Sequence, residues 1–506
     1  MGANDLTAMG GALPSVVSAT GRLAIPVAHR DKMYLGDDHT LYIAGSYATD
    51  AAVLAYIELL RRKNVQYRRE VTSVEHIQGL YAENAAVARE DFTQRQGQVV
   101  GIILEAIRLR ASDVHFRNED TRSLVLVRVD GFLEPLREFS REDGREICRA
   151  MYGSMCDVAE EQYYENKSQN GRLKAEYLRQ LGLTGARIGT RPTDDGNLVV
   201  LRLLMKGERK AVRELGYLPE QTEHIVRMTR NPYGINIFSG PTGAGKSTSL
   251  EVLLREMLDY LGGKTNVMTV EHPPEYKIPG AVQTPLMCDS DDPESVSRAW
   301  ANAISELLRL DPDTIMIGEM RDLNSAVAAF RAAMTGHGVW TTNHSNHAIQ
   351  TLDRLIDLGV NPSFVTDASI VTGLINQSLV VLNCPHCARP YDAAKETLPE
   401  DLRARVERYC NPQRVKVRGK NKGCKHCKGK GHRGRSVVAE VVTPTQKLMN
   451  VYRTEGSAAA RSYWAKELGG ITKCMHLIRL INEGLVDPLF AEQQVCLLDQ
   501  DDIILA

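Results

Sequence analysis

Residues 240–248 read Gly-Pro-Thr-Gly-Ala-Gly-Lys-Ser-Thr and fit G-x-x-x-x-G-K-[ST] at every fixed position. Gly240, Gly243 and Gly245 let the main chain wrap a phosphate, with Pro241, Thr242 and Ala244 between them. The loop N–H groups and the positive end of a following helix then point at the same anion. Lys246 is placed to reach the β- and γ-phosphates and the Ser247 hydroxyl to ligate Mg²⁺, with Thr248 next in the same cofactor-binding set. Ile235, Ile237 and Phe238 precede the loop as a short buried strand, and the helix-forming residues 250–257 follow it. Strand, loop and helix in that order imply binding of ATP or GTP.

Three later apolar strands end in groups that suit hydrolysis. Residues 267–270 lead to Glu271, 314–318 to Glu319, and 340–342 to Asn343-His344, with His337 just upstream. Glu319 suits holding or polarising a water near Mg²⁺, and Glu271 suits a general base for the attacking water. His337 and His344 suit sensing or stabilising a γ-phosphate. Earlier in the chain, Arg187 and Arg202 lie on paired strands with nothing acidic expected beside them; such arginines either solubilise a surface or reach a phosphate. Asp113 and His115 share a strand face and are expected to be satisfied polar residues.

Of ten cysteines, four form two C-x-x-C pairs, Cys384/Cys387 and Cys424/Cys427. Four thiolates so paired suit one closed, structural Zn²⁺, and the six scattered cysteines argue against a disulfide framework. Basic residues crowd the second pair from Arg414 to Arg435 with no acid among them. A zinc knuckle in such a run also suits nucleic acid, so a DNA-translocating P-loop ATPase is the competing expectation. No aromatics are interleaved for base stacking, and a formal net charge of −1 fits that partner poorly, so no nucleic acid is expected.

The elements that must position these groups fall into units along 506 residues. A loose arm to about residue 30 and a small α/β docking module fill 1–95, with strands at 41–44 and 65–71, a helix over 50–62 capped by Asp50, and a second helix over 74–89. Residues 96–204 make a second α/β unit: a helix over 99–110, a hairpin turning at Asp130-Gly131, a helix over 141–160, and the arginine strands. A polar linker spans 205–214. The nucleotide core covers 215–380, where strands alternating with helices predict a mostly parallel sheet. The cysteine insert covers 381–435 and a C-terminal helical part 436–506, whose tail from Ser457 reads as small helices broken at Gly469-Gly470 and Gly484. With 43% hydrophobic and 25% charged residues, no apolar run of about 18 and no secretory start, the chain reads as cytoplasmic.

Several motifs together resemble the hexameric secretion ATPases, in the branch that drives type IV pilus assembly and type II secretion. Beside GPTGAGKST, EHPPE (271–275) resembles that family's aspartate box, DPDTIMIGEMRD (311–322) its Walker B and TGHGVWTTNHSNHA (335–348) its histidine box. Upstream, ASDVHF, VRVDGFL and QNGR resemble its A-S-D-I-H, R-x-D-G-x-L and Q-D-G-R motifs, so the likeness runs from about residue 97 to 498. The resemblance implies a RecA-like P-loop motor with a PAS-like unit ahead of it, ATP as the nucleotide with Mg²⁺, and a homo-hexamer. It implies that Arg187 and Arg202 reach the nucleotide when the two domains close, with Arg128 a third arginine of that domain, and that Glu271 activates the water. It also implies a polytopic inner-membrane platform protein as partner, pilin or pseudopilin as the indirect client, and a cytoplasmic motor peripheral to the inner membrane. The assembly branch carries a tetracysteine insert that retraction motors generally lack. His272 and His347 stand where the family usually has Asp, and Asn170 replaces the Asp of Q-D-G-R. Were the two histidines neighbours, a neutral pair would replace a carboxylate pair.

Overall fold

The computed structural model describes residues 23, 25–26, 29–36, 38–87, 94–158, 162–205, 210–272, 274–288, 292–419 and 423–505. Most of the expected N-terminal arm, residues 88–89 and 159–160 of two expected helices, and 206–209 of the expected linker lie outside the described residues.

The first unit is a three-stranded sheet of Met33–Leu35, Thr40–Ala44 and Arg68–Thr72, its last two strands parallel across the helix Ala51–Arg62. Asp50 caps that helix by accepting from the Ala52 N–H at 2.9 Å. The third strand starts at Arg68, not Val65. Asn64 takes φ 52°, and the Val65 N–H returns to the Leu60 carbonyl at 3.0 Å, so these residues close the helix instead.

The second unit is an antiparallel seven-stranded sheet. Its order is Phe132–Ser140, Arg122–Val129, Asp113–Asn118, Gly196–Met205, Leu183–Thr193, Gln169–Leu173, Cys156–Val158. Helices Gln94–Arg108 and Arg141–Met155 share one core with Val114, Phe116, Val125 and Val127. The second helix stops at Met155 because Cys156 is extended and opens the edge strand. Along Arg122–Val129 alternation buries Ser123, Val125, Val127 and Val129 on the helix side and sets Arg122, Leu124, Leu126 and Arg128 on the other. There, Arg172, Arg187, Arg202, Asp113 and Arg128 fall opposite one another across five adjacent strands. Asp130 (φ 50°) and Gly131 (φ 96°) make the tight turn between Arg122–Val129 and Phe132–Ser140.

The third unit holds the P-loop. Its sheet runs Val282–Pro285, Val267–Glu271, Thr314–Ile317, Gly338–Thr342, Gly234–Ser239, Val371–Asn383, His432–Val442. The first six strands are parallel and the last pairs antiparallel. The four strands Val267–Glu271, Thr314–Ile317, Gly338–Thr342 and Gly234–Ser239 are buried at every residue, as a parallel sheet with both faces covered requires. Pairing of the last two strands persists to Asn383 opposite His432, so the cysteine lobe is a long excursion from the sheet's own hairpin. Within it, Tyr391, Leu402, Val406 and Val415 share a core with Leu477 and Leu480 of the tail. The tail opens with a long helix, Gln446–Glu467, interrupted at Gly456 (φ 88°), before Lys473–Asn482 and Pro488–Gln494. No helix among the described residues is long and apolar enough to cross a membrane.

Candidate active site

The P-loop leaves the carboxyl end of Gly234–Ser239 and enters the helix Lys246–Tyr260. Gly240 (φ 135°) passes so close to its neighbour strand that a Cβ there would lie 2.2 Å from the Gln377 carbonyl oxygen. Gln377 also braces the loop from within: its Nε2 donates to the Ala244 carbonyl at 2.7 Å. The buried Tyr217 hydroxyl bonds both Gln377 Oε1 and Ser249 Oγ. Lys246 Nζ donates to the carbonyls of Gly240 (2.7 Å) and Pro241 (3.2 Å), which folds the ammonium over its own loop. Burial lowers its pKa, and the charge of Glu319 opposes that shift.

Glu271 ends its strand largely buried and accepts from Thr269 Oγ1 at 2.7 Å and Gln283 Nε2 at 3.0 Å, both on Oε1. Glu319 is held at both oxygens, by Arg321 Nε at 2.7 Å and His344 Nε2 at 3.1 Å. Thr248 Oγ1 donates to the Tyr276 hydroxyl at 3.3 Å, tying the P-loop helix to the segment after Glu271. Glu271, Glu319, His344 and the loop around Lys246 therefore gather at one sheet edge.

His337 does not join them. It precedes Gly338–Thr342, a strand parallel and in register with the P-loop strand, with Gly338 opposite Gly234. Five strand residues at about 3.3 Å each put it about 16 Å from the P-loop edge. There its Nδ1 lies 3.0 Å from the Ala332 carbonyl and closes the preceding helix. The structure thus places His337 at a turn and does not bring it to the residues with which the sequence grouped it.

The arginines are not without acids, contrary to the sequence expectation. Arg202 Nε donates to buried Asp113 at 3.0 Å, and Arg128 Nε lies 3.9 Å from the same carboxylate. Arg187 Nη2 faces Glu275 Oε1 of the P-loop unit at 4.0 Å, the point where the arginine row meets the nucleotide core. Burial lowers the Arg187 pKa, with Glu275 and Glu271 opposing and Arg172 and Arg202 reinforcing the shift. Arg172 belongs to this row too. It is the last residue of the QNGR motif, which the sequence reading quoted without giving this arginine a task, and strand pairing sets it opposite Arg187.

The two unusual histidines sit in different surroundings. His272 Nε2 lies 3.6 Å from Cys288 Sγ, and burial, then Arg321, Arg187 and Arg172, lower its pKa. His347 lies 4.0 Å from Glu440, and burial pushes its pKa down to about 4. Among the described residues no hydrogen bond or ion pair joins the two histidines.

In the cysteine lobe the four sulfurs of Cys384, Cys387, Cys424 and Cys427 all lie within 4.8 Å of one another. Cys384–Cys424 and Cys387–Cys427 are 3.8 and 3.7 Å apart. Four sulfurs about 2.3 Å from one tetrahedral Zn²⁺ stand about 3.8 Å apart, so the set fits that ion. The Gly431 N–H donates to Cys427 Sγ at 3.2 Å, outer support of the kind metal thiolates need. The basic run beside it finds its acids in the second unit: Lys430 bonds Glu134 at 2.6 Å, and Asp130 accepts from the Gly434 N–H at 3.1 Å and lies 3.5 Å from His432. Phe132 packs between His432 and Phe490, completing a dock for the hairpin tip.

The sequence matches the profile of the family described as type II/IV secretion system protein over residues 90–481. It is 33% identical over 398 residues to type II secretion system protein E of Pseudomonas aeruginosa, covering 76% of this chain and 74% of that protein. It is 32% identical over 400 residues to type IV pilus assembly ATPase PilB of the same organism, covering 76% and 65%. Among solved structures, the ATPase DotB of Yersinia pseudotuberculosis shares the fold at TM-score 0.55 and 21% identity, covering 79% of this chain and 94% of DotB. The chain belongs to the type II/IV secretion system protein family and is an ATP-hydrolysing enzyme.

Proposed function

We propose that this chain is the cytoplasmic motor of a type IV pilus or type II secretion pseudopilus, working as a homo-hexamer against a polytopic inner-membrane platform protein. Hydrolysis of ATP to ADP and phosphate is coupled to closing the arginine-bearing unit onto the nucleotide core. The observation that carries this is the row Arg172–Arg187–Arg202, which meets the core at Glu275, in the strand-end segment that begins with the proposed base Glu271. In this reading the nucleotide core is RecA-like and the arginine unit PAS-like. The mostly parallel sheet with its P-loop at the carboxyl edge supports the first assignment, and the antiparallel sheet with helices on one face the second.

Each residue then has a task. The P-loop amides and Lys246 hold the phosphates, Lys246 exchanging its own loop carbonyls for phosphate oxygens. Glu271 accepts the proton of the attacking water. Both its hydrogen bonds fall on one oxygen, and they fix the carboxylate's direction. Glu319, clamped at both oxygens, orients water and metal instead of taking a proton, and His344 holds it there. Ser247 and Glu319 would hold Mg²⁺, which supplies charge neutralisation at the phosphates. Arg187 and Arg202 stabilise charge developing on the γ-phosphate as the units close. Cys384, Cys387, Cys424 and Cys427 would hold Zn²⁺ as a structural ion.

Lys430 pairs with Glu134 and His432 lies beside Asp130, so part of the basic run is neutralised within the chain. This supports a motor without nucleic acid over a DNA translocase. The reading is tested by reconstituting the protein with proteoliposomes carrying the platform protein of its own secretion or pilus cluster. Turnover is expected to rise several-fold, and Arg187→Ala is expected to abolish the rise. Stimulation by DNA with none from the platform protein would overturn the assignment.

A further inference from the structure

The loop that carries His344 is fastened from behind by charged side chains of the carboxyl-terminal region. After Gly338–Thr342 the chain turns through 343–349 before the helix Gln350–Asp357. Three successive stretches of its main chain are held by side chains from elsewhere. Asn376 Nδ2 donates to the Ser345 carbonyl at 2.9 Å. Lys473 Nζ donates to the Asn346 carbonyl at 2.8 Å, and the Ala348 N–H donates to Glu440 Oε2 at 3.0 Å. Arg461 Nη2 holds the other oxygen of Glu440 at 2.7 Å.

These charges are costly where they lie. Glu440, Arg461 and Lys473 are 1%, 5% and 9% exposed. Lys473 is also the first residue of its helix, the end whose dipole disfavours a cation. A well-packed apolar cluster of the same volume would be at least as stable as a buried ion cluster, so stability alone does not account for it. What the charges do is grip main-chain groups two and four residues beyond His344. His344 in turn must place Nε2 3.1 Å from Glu319, although its own side chain is half exposed and has little packing to fix it.

We propose that Lys473 and Glu440 are positioning residues of the ATPase site, holding the 343–349 loop so that His344 clamps Glu319. The proposal rests on the role given to His344 above. The cluster ties the tail helices, far from the nucleotide in sequence, to the acid that orients the water, and so lets strain in the tail reach turnover.

The test is a double-mutant cycle on the full chain with Mg-ATP, reading kcat, nucleotide affinity by a fluorescent ATP analogue, and Tm. Lys473→Met is expected to lower kcat about tenfold or more while affinity stays within about twofold, because the P-loop contacts are untouched. Lys473→Arg, which keeps the donor, is expected to recover much of the turnover. In a His344→Ala background Lys473→Met is expected to cost less than a further twofold, since both changes remove one clamp. Fully additive losses, or a fall in Tm with kcat unchanged, overturn the proposal while leaving His344 in its role. If His344→Ala alone leaves kcat unchanged, that role falls and the proposal falls with it. Should Lys473→Met fail to fold, Glu440→Gln enters the same cycle with the same expectations.

Discussion

Replacing Gly240 by alanine separates steric fit from backbone freedom in the P-loop. At φ 135° the residue occupies a region that side chains disfavour, and an added Cβ would meet the Gln377 carbonyl oxygen at 2.2 Å. Ordinary contact begins near 3.4 Å, so loop and strand must part by about 1.2 Å. The strand cannot retreat cheaply, because Gln377 also holds the Ala244 carbonyl and Tyr217. Backbone strain of about 1–3 kcal/mol and overpacking of about 1–3 kcal/mol add to about 2–6 kcal/mol. Gly243 has φ 80° with nothing within 4 Å of its Cβ position, so Gly243→Ala carries only left-handed strain, about 1–2 kcal/mol. Thermal unfolding without nucleotide is therefore expected to show a Tm loss for Gly240→Ala at least twice that for Gly243→Ala. Displacing the loop also misdirects at least two amides from the phosphates at about 1.5–3 kcal/mol each, so Kd for ATP rises roughly a hundredfold or more. Equal Tm losses for the two variants, or unchanged nucleotide affinity in Gly240→Ala, would refute the close-approach argument.

Two further outcomes follow from the charged and metal-ligating groups. His347 titrates near 4 in the fold against about 6.5 when unfolded, so the unfolded chain binds more protons in that window and stability falls as pH drops from 6.5 to 4. The shift corresponds to at most about 3 kcal/mol; urea midpoints at pH 7 and 5 should fall less for His347→Gln than for the parent, and identical slopes would remove His347 from the account. Stripping zinc with a chelator should loosen the lobe that receives the hairpin tip, so amide exchange across 127–134 is expected to speed up. Unchanged protection there would mean that Asp130, Glu134 and Phe132 dock on a lobe that stands without its metal.

Local chemistry was legible from the sequence where a short segment settles its own geometry. The P-loop between a buried strand and a helix, the Asp50 cap, the Asp130-Gly131 turn and the paired cysteines all stand where residue type and spacing put them. What the sequence left out was set by pairing across long separations. Alternation tells which face Arg202 takes but not that Asp113, 89 residues earlier, stands opposite it. Likewise Gln377 braces Ala244 from 133 residues away, and Glu440 holds Ala348 from 92. His337 was grouped with His344 because they are near in sequence, but a strand lies between them and separates the two ends of the sheet. The basic run looked unpaired because its acids lie on the hairpin of another unit, 304 residues away for Asp130 and Gly434.

The central claim is that hydrolysis occurs at the edge where Lys246, Glu271 and Glu319 meet. Its most direct test is Mg-ATP turnover of the purified protein beside Lys246→Ala and Glu319→Gln, with size-exclusion light scattering on each. The account predicts slow hydrolysis by a hexamer, loss of nucleotide binding in Lys246→Ala, and a fall in kcat of about 10²-fold or more in Glu319→Gln with binding kept. Turnover in Glu319→Gln equal to that of the parent, in the same assembly state, would contradict it.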